Sequence, residues 1–417
     1  MKLKILPLAA ALTLLFSASS FAEPLTIEEC LATAMKNNPD LTAALEMLNA
    51  ERTTINQAAA PGRPQLSAGS SYRRGGSGDD HSGYYDTSIG VDQSISDWGR
   101  RETNIRRARL STDAARADYE ETVDTVIQNV YSAYYLLNRA VRDVEIARTR
   151  YDNYQKRLDW ARSYYEVGTK AKIEVTNAEA DLASSKLTLV RAQSSVEQYR
   201  AQLANAMGVP LMAITDVVDI LDYEEWGIGL DEAVSAAMKE RPEIAAKRLR
   251  VEYAAENVTL QMKGLSPSLS ASAGYAFGDK SYFDTDEWYA QLSLSIPLTD
   301  GGLTKSRVEQ ARAQLRQAEA ELTSLENYVT LEVRTAWEDL RQAKESLTSA
   351  QEAERAAKAT LDLALGRYQA GVGDNLEISD AVDSYAVAST NTVLALYDCK
   401  NARLNLEKAI GGLEYGK

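Results

Sequence analysis

The sequence predicts a mainly α-helical chain that also carries a transmembrane β-barrel, laid out as a tandem structural repeat. Three observations lead there. The second half repeats the first at a constant offset of 203 residues. Each half holds paired segments, each about ten residues long, in which apolar and small polar residues alternate, as in strands with one lipid face and one wet face. Each half then runs into a long proline-free stretch with heptad spacing, the pattern of coiled-coil helices.

The repeat is visible phrase by phrase. "AMKNNPDL" around Pro39 matches "AMKERPEI" around Pro242. "PQLSAGSSY" (Pro64 to Tyr72) falls on "PSLSASAGY" (Pro267 to Tyr275), and "SISDWG" (Ser94 to Gly99) on "PLTDGG" (Pro297 to Gly302). "RSYYEVG" ending at Gly168 falls on "LGRYQAG" ending at Gly371, and Gly208 falls on Gly411. Ordinary solenoids repeat every 20–50 residues. This period is far longer, so the chain is two copies of one large unit. The expected boundaries are a first repeat at 23–208, an acidic linker at 209–229 and a second repeat at 230–417.

Residues 1–22 have the form of a secretory signal: Lys2 and Lys4, an apolar run from Ile5 to Phe16, and Ser20-Phe21-Ala22 before the cleavage point. Cys30 lies inside a helical pattern, so no lipidated N-terminus is expected. Past the signal no apolar run reaches the 18 residues a membrane helix needs. The mature chain then holds 44 Lys and Arg against 60 Asp and Glu, which argues against a nucleic-acid partner. Cys30 and Cys399 are not repeat equivalents, and their spacing leaves both a disulfide and two buried thiols open.

In each repeat the first helix is expected at Thr26 to Ala59 and at Leu230 to Lys263. Pro39 and Pro242 interrupt these helices, because proline removes a backbone donor and clashes with the preceding turn. A hairpin follows at 64–97 and at 267–298. Leu269, Ala271, Ala273, Tyr275 and Phe277 alternate with small residues, as do Trp288, Ala290, Leu292, Leu294, Ile296 and Leu298. Tyr85, Thr87, Ile89, Val91 and Ile95 repeat the pattern. Tyr72, Tyr84, Tyr85, Tyr275, Phe277, Trp288 and Tyr289 lie near strand ends, where aromatic girdles belong. The loops Gly75 to Gly83 and Gly278 to Asp286 have the composition of exposed turns. Beyond the hairpins, Val123, Ile127, Val130, Tyr134, Leu137, Val141 and Val144 alternate steps of four and three, and so do Val308, Ala311, Leu315, Ala318, Leu322, Leu325 and Val329. One helix over 100–164 would span roughly 100 Å. Gly168 and Gly371 mark the tips where antiparallel helices meet, since glycine adopts the left-handed conformation that ends a helix.

Enzyme chemistry finds no support. His81 is the single histidine and sits in a glycine-rich loop. There is no zinc-ligand cluster, and "GVGDNL" at Gly371 lacks the third glycine of a phosphate-binding loop. No cofactor is expected. Four strands, however, cannot close a barrel: about eight are needed for one filled by side chains, and more for an aqueous channel. Several chains must pool their hairpins. A dimer would give eight strands and a trimer twelve.

The chain resembles the TolC-like outer membrane efflux protein family over nearly all of its mature length. "NNPDL" and "ERPEI", the "PxLS" strand starts, "IPLTDGG", and the tip phrases "YYEVGTKAKIEV" and "RYQAGVGDNLEISDA" carry the resemblance, duplicated in order. It implies a homotrimer in the outer membrane, with a twelve-stranded barrel in outer membrane lipid continuing into a periplasmic helical tunnel. It implies a periplasmic adaptor and an inner-membrane transporter as partners. The chain departs from the family in its short tail after Gly411 and in lacking the anchor cysteine of some members.

The resemblance also assigns a site. In similar channels acidic residues at the second tip line the closed periplasmic entrance. Here these are Glu377 and Asp380, spaced i, i+3 on one helix side. Three chains would bring six carboxylates round one axis, each pair repelling by about 1 kcal/mol at 4 Å even in water. Glu174 matches Glu377 in the first tip and can accept a hydrogen bond from Tyr368. Val167, Gly168 and Thr169, with Ala370, Gly371 and Val372, resemble the family's adaptor-docking tips. The function implied is a passive, gated exit duct of a tripartite efflux or type I secretion system. The competing reading is a structural or adhesive trimer with a coiled-coil stalk, against which the interleaving of hairpins and helices argues.

Overall fold

The computed structural model describes residues 24–77, 80–210, 216–279, 286–370 and 372–412. The signal segment 1–22, Asp79 and Gly371 lie outside the described residues, and so do the side chain of His81 and most of the Gly278 to Asp286 loop.

The first half runs α1 (Ile27–Asn37), α2 (Pro39–Ala59), β1 (Gln65–Ser77), β2 (Asp80–Ser96), α3 (Arg100–Glu166) and α4 (Lys172–Met207). The second runs α5 (Leu230–Glu240), α6 (Pro242–Met262), β3 (Ser268–Asp279), β4 (Asp286–Ser295), α7 (Leu303–Gln369) and α8 (Asn375–Ile410). Every helix begins and ends 203 residues after its twin. α3 and α7 each hold 67 residues, so each is about 100 Å long.

Both prolines start a helix, where their missing N–H costs nothing, and a one-residue break separates α1 from α2 and α5 from α6. At the break Asn38 caps α2, accepting from the N–H groups of Asp40 and Leu41, and its amide donates to the carbonyl of Ala206. Its twin Arg241 cannot accept. It donates to the equivalent carbonyl, that of Ala409, and pairs with Glu243 and Glu332 at 2.7 and 2.6 Å.

The hairpins join side by side in one antiparallel sheet ordered β1-β2-β3-β4. The register puts Leu66 opposite Val91, Val91 opposite Ala273, and Ala273 opposite Ala290; the next row is Ala68, Ile89, Tyr275 and Trp288. One face is therefore apolar across all four strands. Gln65, Asp92, Ser272 and Gln291 form a row of the other face. Two expectations need correction. Pairing continues through Gly75–Ser77 and Asp80–Gly83, so most of the expected first loop is strand: ladder bonds are main-chain bonds, indifferent to Gly and Ser side chains. β4 stops at Ser295, leaving Ile296 and Leu298 beyond it. A bulge at Ser94/Ser96 also takes Ile95 out of the regular alternation.

Glycines Gly99 and Gly302, at φ +82° and +91°, turn the chain from strand into α3 and α7. Just before them Trp98 sits at φ +52°, the one non-glycine with positive φ among the described residues, where the second repeat has Gly301. Left-handed backbone costs such a side chain about 1–2 kcal/mol. The first turns carry Arg100 and Arg101 against Glu102 in α3 and Lys305 in α7, with Arg307 just beyond, each unmatched cation opposing the helix dipole by about 0.3–1 kcal/mol. Asp97 and Asp300 partly compensate by accepting the N–H groups of Arg101 and Thr304, each at 2.7 Å.

The heptad residues Ile127, Val130, Tyr134 and Leu137 form the core of the first half, with Leu31, Leu41 and Leu203. Val329, Val333, Leu340 and Leu406 form that of the second. In the α7 seam from Val308 to Val329 only Ala311 and Val329 are buried within one protomer; the rest is half-covered. Tyr134 and its twin Trp337 pin the waist: the Tyr134 hydroxyl donates to Leu25 and Val218 carbonyls, and Trp337 Nε1 donates to the carbonyl of Ile228, the twin of Leu25. Cys30 and Cys399 are free and buried, and burial pushes their thiols up to about 12 and about 11.

α4 and α8 end on Gly208 and Gly411, at φ +69° and +82°, each wedged against the break between the two short helices. A Cβ on Gly208 would lie 2.7 Å from the Asn37 carbonyl oxygen, whereas one on Gly168 (φ +76°) would meet nothing within 4 Å. Gly168→Ala is therefore expected to cost about 1–2 kcal/mol from backbone strain alone, and Gly208→Ala more. Thermal unfolding in detergent checks this: equal losses would contradict the close packing at the waist.

Candidate functional site

The two helical hairpins end in tips of the same construction. At the first, the N–H of Gly168 bonds to the carbonyl of Tyr165 at 3.0 Å and that of Thr169 to Tyr164 at 2.9 Å, the paired bonds of a Schellman ending. At the second, the N–H of Val372 bonds to the carbonyl of Arg367 at 3.1 Å. Apolar side chains project outward here. Val167 is 71% exposed, Val372 67%, and the twins Ile173 and Leu376 64% each. Thr169 and Ala370 are exposed beside them.

Behind the tips lies a small core of Tyr154, Leu361, Ala364, Tyr368, Ile378, Ala381 and Val382. It explains which way α8 turns. Ile378, Ala381 and Val382 face inward, so Glu377 and Asp380 share the exposed side, as their spacing requires. Asp380 has no hydrogen bond or ion pair among the described residues. Glu377 pairs with Arg367 Nε at 3.1 Å across its own tip. That contact partly offsets the charge of one of the two carboxylates. It is exposed, so it holds by under about 1 kcal/mol and is easily exchanged.

Tyr368 does not bond to Glu174. Its ring is drawn inward, 5.8 Å from that of Trp160 and 5.6 Å from that of Tyr164. The Tyr368 hydroxyl is buried with no hydrogen-bond partner among the described residues. Burial, then the Glu174 charge, raises its pKa. Aromatic packing has won over the polar contact.

One polar tie between the two hairpins is of a kind that the motifs did not reveal. Tyr154 on α3 donates to Asp383 on α8 at 2.7 Å, and Arg150 pairs with the same carboxylate at 2.8 Å. The guanidinium groups of Arg150 and Arg157 each lie 5.7 Å from the Tyr154 ring centre. Arg157, its side chain only 4% exposed, pairs with Asp181 on α4 at 2.5 Å. One signal was present. The repeat equivalents of Arg150, Tyr154 and Asp383 are Ala353, Ala357 and Ala180, so this network breaks the symmetry kept elsewhere. Tyr154→Phe should lower stability by about 1–2 kcal/mol, since the hydroxyl bonds to a charged group. Tyr368→Phe should be neutral or stabilising, because it removes an unpaired buried hydroxyl. Denaturation of both variants distinguishes these; a large loss for Tyr368→Phe would mean its hydroxyl has a partner.

Among the described residues no His, Cys, Asp and Glu group is arranged to hold a metal ion, and no helix is long and apolar enough to cross a membrane.

Comparison with known proteins agrees with this architecture. The family model of the outer membrane efflux protein matches twice, at residues 30–209 and 233–412, again 203 residues apart. Outer membrane protein TolC of Vibrio cholerae is 25% identical over 98% of this chain and 96% of its own length. The pyoverdine export outer membrane protein OpmQ of Pseudomonas aeruginosa is 27% identical over 93% and 85%. Among solved structures, the Campylobacter jejuni CmeC outer membrane channel superposes with a TM-score of 0.81 at 18% identity, covering 94% of this chain and 87% of that one. VceC of Vibrio cholerae gives 0.78 at 19%, covering 93% and 96%. The fold is that of these channels, and the chain is an outer membrane protein with its helices in the periplasm. With its two matched segments in the order and spacing of the repeat, this chain belongs to the outer membrane efflux protein family.

Proposed function

We propose that the chain is the exit duct of a tripartite efflux or type I secretion system. Three copies pool their sheets into a barrel of twelve strands, and α3, α4, α7 and α8 of each form a tunnel beneath it. The observation that carries this reading is the sheet itself. It has one apolar and one polar face, β1 and β4 are each paired on one side only within a protomer, and it leads directly into helices of 67 residues.

The duct is passive and performs no chemistry of its own. An inner-membrane transporter supplies energy and chooses the cargo. A periplasmic adaptor docks on the tips, at Val167, Gly168 and Thr169 and at Ala370, Gly371 and Val372, where exposed apolar groups sit on well-formed helix ends. Glu377 and Asp380, with Glu174 and Tyr368 behind them, form the periplasmic gate. The weak Arg367–Glu377 pair supports a gate that closes without a large barrier to opening: an arriving partner that engages either charge releases the other.

Single-channel recording in planar bilayers tests this. The wild type should show a small, cation-favouring conductance, and Glu377→Ser/Asp380→Ser should raise it severalfold while weakening the cation preference. A conductance unchanged by the double substitution would move the gate elsewhere. Absence of conductance in protein that inserts normally would defeat the duct.

A further inference from the structure

The two repeats bring unpaired cations together in the plane where strands become helices. Between the first turns of α3 and α7 and the end of α6 lies a cleft of about 460 Å³. Arg100 and Arg307 stand in its wall beside the amides of Asn104, Asn257, Gln261 and Gln314, and no carboxylate lines it. Both arginines are exposed. Among the described residues no hydrogen bond or ion pair engages either guanidinium. Glu102 and Glu309 stand on the same helices but outside the lining. Over residues 97–109 and 300–312, eight Lys and Arg face four Asp and Glu, in a chain of net charge −14.

The surroundings indicate what neutralises them. In the segments that join the sheet to these helices, Trp98 is 48% exposed, Leu303 50% and Leu298 89%. In an outer membrane protein the apolar face of the sheet meets lipid, and tryptophan concentrates at the membrane–water boundary. The left-handed backbone at Trp98, where the other repeat uses glycine, holds an indole there. A guanidinium fork matches phosphate oxygens, amides donate to the same oxygens, and basic groups beside a membrane attract anionic lipid. Free phosphate would account for the arginines but not for the apolar rim.

We propose that this cleft binds the phosphate headgroup of an anionic phospholipid in the periplasmic leaflet, with Arg100 and Arg307 as its ligands and Trp98 against the acyl chains. The bound lipid fixes the depth of the barrel and offsets the cations at the two helix starts.

The test is electron spin resonance of the protein reconstituted in phosphatidylcholine bilayers, with trace spin-labelled phosphatidylglycerol or phosphatidylcholine. The wild type should immobilise phosphatidylglycerol over phosphatidylcholine by at least about threefold, as expected for a few cations at a membrane surface. Arg100→Gln/Arg307→Gln should bring the ratio close to one, and Arg100→Lys/Arg307→Lys should keep most of it. No preference in the wild type, or an undiminished one in the Gln pair, overturns the proposal. Loss of the preference in tens of millimolar inorganic phosphate at constant ionic strength would assign the cleft to a free anion and overturn the lipid. Absence of any immobilised lipid would show that the sheet does not meet the bilayer, and both the barrel and the lipid site would fall together.

Discussion

The open edges of the four-stranded sheet constrain everything else. Within one protomer β1 and β4 each pair on one side, so each presents a row of unpaired N–H and C=O groups. In water such an edge is a liability. In lipid it is untenable, since each unsatisfied group costs several kcal/mol and only closed barrels or helices span the bilayer. The sheet must find further strands, and among chains of this kind those strands are copies of itself. Closure around an axis then dictates that the helices hanging from the strands also run round that axis. The half-covered heptad seam of α7 fits that arrangement, a surface that one protomer leaves incomplete.

Duplication supplies the regularity this closure needs. Equivalent helices have equal lengths, and the waist is fixed by equivalent bonds: Tyr134 and Trp337 to the carbonyls of Leu25 and Ile228, Asn38 and Arg241 to those of Ala206 and Ala409. The chemistry of the donors changed while the carbonyl each must satisfy did not. The symmetry breaks at the tips. Asp383, Tyr154 and Arg150 have alanines as twins, and Arg367 has Tyr164. The first of these ties joins the two hairpins to each other, and the Arg367–Glu377 pair lies within the second alone.

Much of the fold was legible because its signals are periodic. The offset of 203 residues, the strand alternation and the heptads each average over many positions, so the long helices, the proline breaks and the apolar face all follow from spacing. Where the fold was not legible, one local interaction decides. The strands extend into Gly75–Ser77 because ladder bonds need no side chain. The candidate site was legible only in part. Glu377 and Asp380 share an exposed face because Ile378, Ala381 and Val382 occupy the other, and spacing alone reveals that. Spacing could not reveal that Arg367 reaches back to Glu377, or that Trp160 and Tyr164 draw the Tyr368 ring away from Glu174. Those outcomes depend on how two helices meet across a tip, which no single stretch of sequence encodes.

Closure by copies of one chain can be weighed directly. Native mass spectrometry of the folded protein released from detergent micelles gives the number of chains in the particle. Four strands per protomer and two open edges require more than one copy, and the trimer that the family resemblance implies predicts three. A stable folded monomer, or a dimer whose eight strands would leave a barrel filled by its own side chains, would contradict the account.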